Sequence, residues 1–238
     1  MQAAEILRLV SGALQDLEPE TDARWKWTGG ASDAVGLLDF LNAAIRTIVM
    51  LRPDATAITE SIRLESGMRQ RIPNRTLHQA SHDALTLIDI TRNMGSDGKT
   101  PGGGILPITP EMIRGMGCNG ISTARCIDNY GYDRLVDRLV YYIFPAVEPG
   151  ASVWVEATYS ATPPQVSGEK DSLPIPDTFQ SALVHGVLYG VFSGDNEASN
   201  LQRATHHYEA MLKELEMKTA TDRGWPVNAP QVRKGAMS

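Results

Sequence analysis

Helical stripes at both ends of the chain, with β-type alternation between them, set the tightest constraint on how this sequence can fold. Ala3 to Leu17 places Ile6, Leu7, Val10, Leu14 and Leu17 on one stripe, the spacing of a helix with a single buried face. Trp25-Lys26-Trp27 and Gly29-Gly30 lead to Ser32 and Asp33, both good N-cap types. From there to Arg52, Val35, Leu38, Leu41, Ile45, Ile48 and Val49 form the strongest helix signal of the first half. Pro53 ends it, and Arg52 stands where a cation favours the helix dipole. Late in the chain a helix is predicted from Asp177, with Phe179, Leu183, Val184, Val187, Leu188, Val191 and Phe192 pointing nearly all round; such a helix is buried on every side. Gly186 and Gly190, four apart, predict a neighbour at close range. After the break at Ser193-Gly194-Asp195, Glu197 to about Lys218 carries the stripe Leu201, Ala204, Tyr208, Met211, Leu212 and Leu215. Ala220–Ser238 has no periodicity, and Trp225-Pro226 with Pro230 argues against a helix there.

The middle alternates. Ser61 to Glu65, a turn at Ser66-Gly67, and Met68 to Ile72 before Pro73 predict a hairpin. A short helix is expected over Leu77 to Ala84, then a strand over most of Leu85 to Arg92. The stretch GSDGKTPGGG is expected to hold no regular structure, and Pro110 to Met116 one or two helical turns. Arg138 to Phe144, broken by Pro145, and Ala151 to Ser160, broken by Pro163-Pro164, predict a second hairpin. The fold class that follows is α+β. N- and C-terminal helices, residues 1–56 and 173–219, form a bundle because each must bury its stripe. A β-rich insertion spans 57–172, and an extended tail spans 220–238.

Composition bounds the function. At 42% apolar residues, with fifteen aromatics among 238 residues, the chain can build a real core, so wholesale disorder is excluded. No run of eighteen apolar residues is present, so no membrane span is expected. The first twenty residues lack a basic leader and a long apolar region, so no secretory signal is expected. Two cysteines, Cys118 and Cys126, suit a reducing cytosol. A net charge of −6 argues against a general grip on nucleic-acid phosphates.

Reactive constellations are weak. Asn93 to Thr100 (NMGSDGKT) ends like a phosphate-binding loop behind a predicted strand. Such a loop needs glycine first, where Asn93 stands, and a helix directly after the threonine. Pro101-Gly102-Gly103-Gly104 follows instead, so a glycine-rich loop tip is the better reading. Cys118 and Cys126 have no second pair and no nearby histidine, so no zinc site is assigned. His78 and His82 have helical i, i+4 spacing without a third ligand, and the adjacent His206 and His207 suit a rim or interface. No serine sits in a Gly-x-Ser-x-Gly turn. Asp83 with Asp89, and Asp133 with Asp137, do not stand out from solvated faces. Trp25 and Trp27 point the same way if extended, which fits packing or a subunit contact. No catalytic, cofactor or metal residues are assigned.

The tail holds Arg223, Arg233 and Lys234 against Asp222 alone, plus Trp225. Its nineteen residues reach roughly 60 Å when extended. Fixing each costs about 1–2 kcal/mol of backbone freedom, more than one buried Trp returns. Either it is a frayed end, or it orders on a partner through further contacts or many copies acting together.

The order Leu41-Asn42, Arg52-Pro53-Asp54-Ala55, Gly67-x-x-Gln70-x-Ile72-Pro73 and Leu87-Ile88-Asp89-Ile90-Thr91-Arg92-Asn93 resembles the head-to-tail adaptor (connector) proteins of tailed bacteriophages. Tyr141-Tyr142-Ile143-Phe144-Pro145, Tyr159 to Pro164, and a helix pair with Leu188-Tyr189 and His207-Tyr208 fit as well. The resemblance spans about residues 33 to 216 and leaves the first helix and the tail unmatched. It implies a non-enzymatic virion protein of the neck, assembled in the host cytoplasm as a ring, typically of twelve copies. The ring would sit between the portal protein and a tail or nozzle protein, with genomic DNA passing through without sequence-specific binding. In several relatives the C-terminal segment engages the portal, which makes Arg223, Trp225, Arg233 and Lys234 candidate portal contacts. An acidic subunit suits a bore that must not hold phosphate. Ring closure needs heterologous contacts of about 1,000 Å² or more, expected from apolar helix edges and the β subdomain. The alternatives are another neck ring protein (a head-completion stopper or tail terminator) or a nucleotide-binding enzyme using residues 93–100.

Overall fold

The computed structural model describes residues 1–15, 25–28, 35–116, 123–194 and 198–222. Among them the chain is mixed α+β, with five α-helices and two sheets. It divides into two compact units, residues 1–45 with 166–238, and residues 46–165.

In the first unit, α1 (Ala3–Ala13) buries Ile6, Leu7 and Val10 as its stripe requires. Its first turn is tied down by the Ala3 and Ala4 N–H groups, which donate to the Asp171 and Glu169 carbonyls. Helix α2 (Leu37–Leu51) begins here and buries Leu38, Leu41, Ala44 and Ile45. Val35 precedes it and stays exposed, whereas the expected caps Ser32 and Asp33 lie outside the described residues. The next helix begins later than its sequence suggests. Asp177–Phe179 is a 3-10 turn, and α4 (Gln180–Ser193) follows it. Helix α5 (Ala198–Asp222) runs three residues into the stretch expected to be irregular. Helix α4 packs along α5 and α1, and its glycines answer to α2. A Cβ on Gly186 would lie 2.8 Å from the Ala44 Cβ, and one on Gly190 would lie 2.5 Å from the Phe40 ring. Inside this unit Asn42 donates to the Val166 carbonyl (2.8 Å) and accepts from the Val166 N–H (2.9 Å).

The second unit places two sheets on one core. The first has strand order β1 (Ala57–Arg63), β9 (Trp154–Ala161), β3 (Ala84–Met94), β4 (Pro101–Gly104). The second runs β2 (Gly67–Arg71), β8 (Val140–Val147), β7 (Asn129–Gly131), β5 (Leu106–Pro107). A short β6 (Thr123–Ala124) pairs with β8 in parallel, and α3 (Pro110–Met116) packs near β7 and β8. Ile62, Ile90, Val155 and Tyr159 from one sheet meet Tyr141, Ile143 and Val147 from the other in one buried cluster. Apolar area removed from water on this scale, at roughly 25 cal/mol per Å², is what holds two sheets face to face.

Both expected hairpins are corrected. β1 pairs with β9 from Ala57–Ser160 to Arg63–Trp154, and β2 pairs with β8. Consecutive strands therefore enter different sheets. The corner after β1 is held by a side chain instead of a ladder. Gln70 accepts from the Glu65 N–H and donates to the Glu65 and Gly67 carbonyls, while Gly67 at φ +101° turns the chain. Likewise β8 and β9 are sequence neighbours in separate sheets. Pro145 does not end β8; it sits opposite the irregularity where Gly67–Val147 gives way to Arg69–Tyr142, a bulge that needs no donor from the proline. The helix expected over Leu77 to Ala84 is a single turn. Asn74 caps the Leu77 N–H and its carbonyl accepts from His78 and Ala80, then Gln79 at φ +54° breaks the helical path. Part of the GSDGKTPGGG stretch is also ordered, because Pro101–Gly104 pairs with β3 as an edge strand, where proline is tolerated.

Candidate interaction surfaces

The loop resembling a phosphate-binding motif has turned its amides to its own carboxylate. Asp97 accepts from the Lys99 N–H (3.0 Å), the Thr100 N–H (3.1 Å) and the Thr100 hydroxyl, and these donors hold its carboxyl below the usual range. Gly98, at φ +68°, lies against the Trp154 ring so closely that a Cβ would sit 2.9 Å from it. Strand β4 follows Thr100 where a phosphate-binding loop would place the start of a helix. Asn93, the motif's first residue, is committed to the core. It donates to the Ile127 carbonyl (2.7 Å) and accepts from the Ile127 N–H (2.8 Å).

His78 and His82 do not form a pair. His78 is fully buried with no hydrogen-bond partner at either ring nitrogen among the described residues, and Glu65 Oε2 is 4.0 Å from its Nε2. Burial pushes its pKa down, with Glu65 opposing and Arg71 adding to the effect. His82 instead meets Ser81 Oγ at 2.9 Å. His185 and His207 join α4 to α5 through their Nδ1 atoms at 3.0 Å, and His207 stacks parallel on Phe192. Burial lowers both pKa values. Glu214 opposes this at His185 while His206 adds to it, and His185 and His206 add to it at His207. Cys126 is exposed and free; Cys118 lies outside the described residues. Among the described residues no three His, Cys, Asp or Glu side chains are arranged to hold a metal, and no helix is long and apolar enough to cross a membrane.

The remaining candidates serve the fold. Asp83 accepts from the Arg75 N–H, and Asp89 accepts from the Tyr130 hydroxyl and the Ile90 N–H. Burial and the Asp89 contact raise the Tyr130 pKa. The tryptophans part company: Trp27 donates to Ser11 Oγ at 2.9 Å, and Trp25 meets Phe40 edge-on at 6.1 Å. Arg223, Trp225, Arg233 and Lys234 lie outside the described residues.

Sequence reasoning missed the surface that stands out most. Residues 133–140 read Asp-Arg-Leu-Val twice over. Asp133 and Asp137 each accept from the backbone N–H two residues ahead, at 2.9 and 3.0 Å. These repeated Asx turns leave Leu135 90%, Val136 72% and Leu139 57% exposed. The tandem repeat was a visible signal. Charge is also partitioned. Residues 46–165 hold 12 Lys and Arg against 12 Asp and Glu, so the whole −6 falls on the other unit, with 10 against 16.

An apolar turn held out to solvent is the kind of surface patch that marks protein–protein interaction. A family model described as SU10 adaptor protein matches residues 1–234. The chain belongs to that family, a bacteriophage structural family of the neck and tail region. The match takes in the first helix and most of the tail, both left out of the resemblance seen in the sequence. No curated protein matches the chain.

Proposed function

We propose that this protein is a non-enzymatic ring component of the virion neck, which joins the portal to the tail or nozzle while DNA passes through its bore. The family match over residues 1–234 carries this reading. Twelve copies side by side, each presenting the same two units, would give the tail a flat platform, and the acidic unit would disfavour adhesion of phosphate. Assembly would take place in the host cytoplasm. The segment from Arg223 to Ser238, with Trp225, Arg233 and Lys234, would engage the portal as an extended arm whose ordering cost is shared among many copies.

Electron microscopy and sedimentation of the purified protein, with and without portal, test it. A ring, alone or on the portal, is the expected result. A monomer under both conditions would remove the proposal.

A further inference from the structure

We propose that the turn Asp133–Leu139 is the inserting half of the contact between copies, and that it docks on an α5 flank of a second copy formed by Leu201, Tyr208, Glu209 and Glu216. This rests on the ring reading and assigns its surfaces. The turn is built before it meets a partner. Beyond its two Asx turns, the Asp133 carbonyl accepts from Val136 and Asp137, the Tyr132 hydroxyl donates to the Arg138 carbonyl, and the Ile72 N–H donates to the Leu139 carbonyl. A segment held this way loses little conformational freedom on docking. Leu135 and Val136 are therefore a pre-formed apolar tip. Asp133 is half-buried, while Arg134, Asp137 and Arg138 are exposed, so two cations and one carboxylate, itself bonded to the Leu139 N–H, face solvent beside the tip. Neither arginine has an ion-pair partner among the described residues.

The matching surface lies on the acidic unit. Leu201 is 64% and Tyr208 37% exposed, and Glu209 and Glu216 are exposed with no ion pair among the described residues. Seven-residue spacing aligns Leu201 with Tyr208 and Glu209 with Glu216 along the helix. All four lie on one flank, beside the buried line of Ala204, Met211 and Leu215. An apolar tip carrying two arginines thus meets an apolar stripe edged by Glu209 and Glu216, with the exposed Lys213 beside them, on a unit whose excess charge is negative. Charge complementarity of this kind fixes register and partner. Two different patches on each copy give a heterologous contact, the kind that closes rings.

Two charge reversals test the assignment, Arg134→Glu with Arg138→Glu in one variant and Glu209→Arg with Glu216→Arg in another. Both change exposed side chains, and circular dichroism melting checks that each still folds. Each variant alone should associate at least tenfold more weakly than wild type in sedimentation velocity. An equimolar mixture should assemble again as alternating copies, because each faulty patch then faces its complement. If wild type forms rings and either variant does so equally well, or if folded variants fail to rescue each other, the docking assignment is wrong and the ring reading stands. If wild type itself forms no ring with or without portal, the ring reading falls and takes the assignment with it.

Discussion

Asn42, Gln70 and Asn93 share one device: each buried amide pairs with both the N–H and the C=O of a single backbone residue, Val166, Glu65 and Ile127 respectively. A side chain thereby stands in for a missing strand, satisfying groups that burial would otherwise leave orphaned. Replacing Asn93 by Ala strands both Ile127 groups, and should lower stability by about 2–4 kcal/mol in urea unfolding. Two tyrosines give the opposite contrast. Tyr141 is fully buried and its hydroxyl has no hydrogen-bond partner among the described residues, and burial pushes its pKa up. Tyr159 donates to Glu60 (2.5 Å), and burial with that contact raises it to about 12. Tyr141→Phe should therefore leave stability unchanged or raise it, while Tyr159→Phe should cost about 1 kcal/mol, both read by thermal unfolding. His78 adds a pH dependence. Its folded pKa lies below the unfolded value near 6.5, so the folded state binds fewer protons as acid is added. Its stabilising share is complete above about pH 6.5 and is lost as pH falls toward the folded pKa. His185 and His207 shift in the same direction. Unfolding between about pH 7.5 and 5.5, the range that brackets the free imidazole, should show wild type losing stability, with a shallower loss in His78→Phe.

Elements were legible where periodicity decides them. The stripe from Leu38 to Val49 is a helix, and LTLIDITR is a strand. Pairing was not legible, because alternation marks a strand with one buried face and says nothing of which strand lies beside it. The corners that send β1 and β2 into different sheets depend on the Gln70 side chain, and the end of the expected helix near Leu77 depends on Asn74 and Gln79. Neither leaves a periodic trace. The repeat at 133–140 was readable as a sequence, but its exposure is set by Asx turns that form only in the folded chain. The helical glycines were read as a close approach, and α2 is the partner. Alanine at Gly186 should gain roughly 1 kcal/mol in helix propensity, yet its methyl would meet the Ala44 Cβ, which has no rotamer to turn away. A net loss of about 1–2 kcal/mol is expected, visible as a lower Tm.

At the scale of the whole molecule, the net charge of −6 falls on residues 1–45 with 166–238, and residues 46–165 are neutral. Removing residues 223–238 tests the arm: portal affinity should fall while the ring persists, and unchanged affinity in a pull-down would deny the arm its role. One consequence concerns the order of synthesis. β9 lies between β1 and β3, and Thr59 meets Thr158 across 99 residues of sequence. A ribosome must therefore deliver the segment through Ala161 before β1 gains its neighbouring strand, so the nascent chain waits with an unfinished sheet. Non-local pairing of this kind is slow, typically on the order of milliseconds to seconds, and polypeptides ending near residue 150 should emerge as aggregation-prone, protease-sensitive material instead of a smaller folded unit.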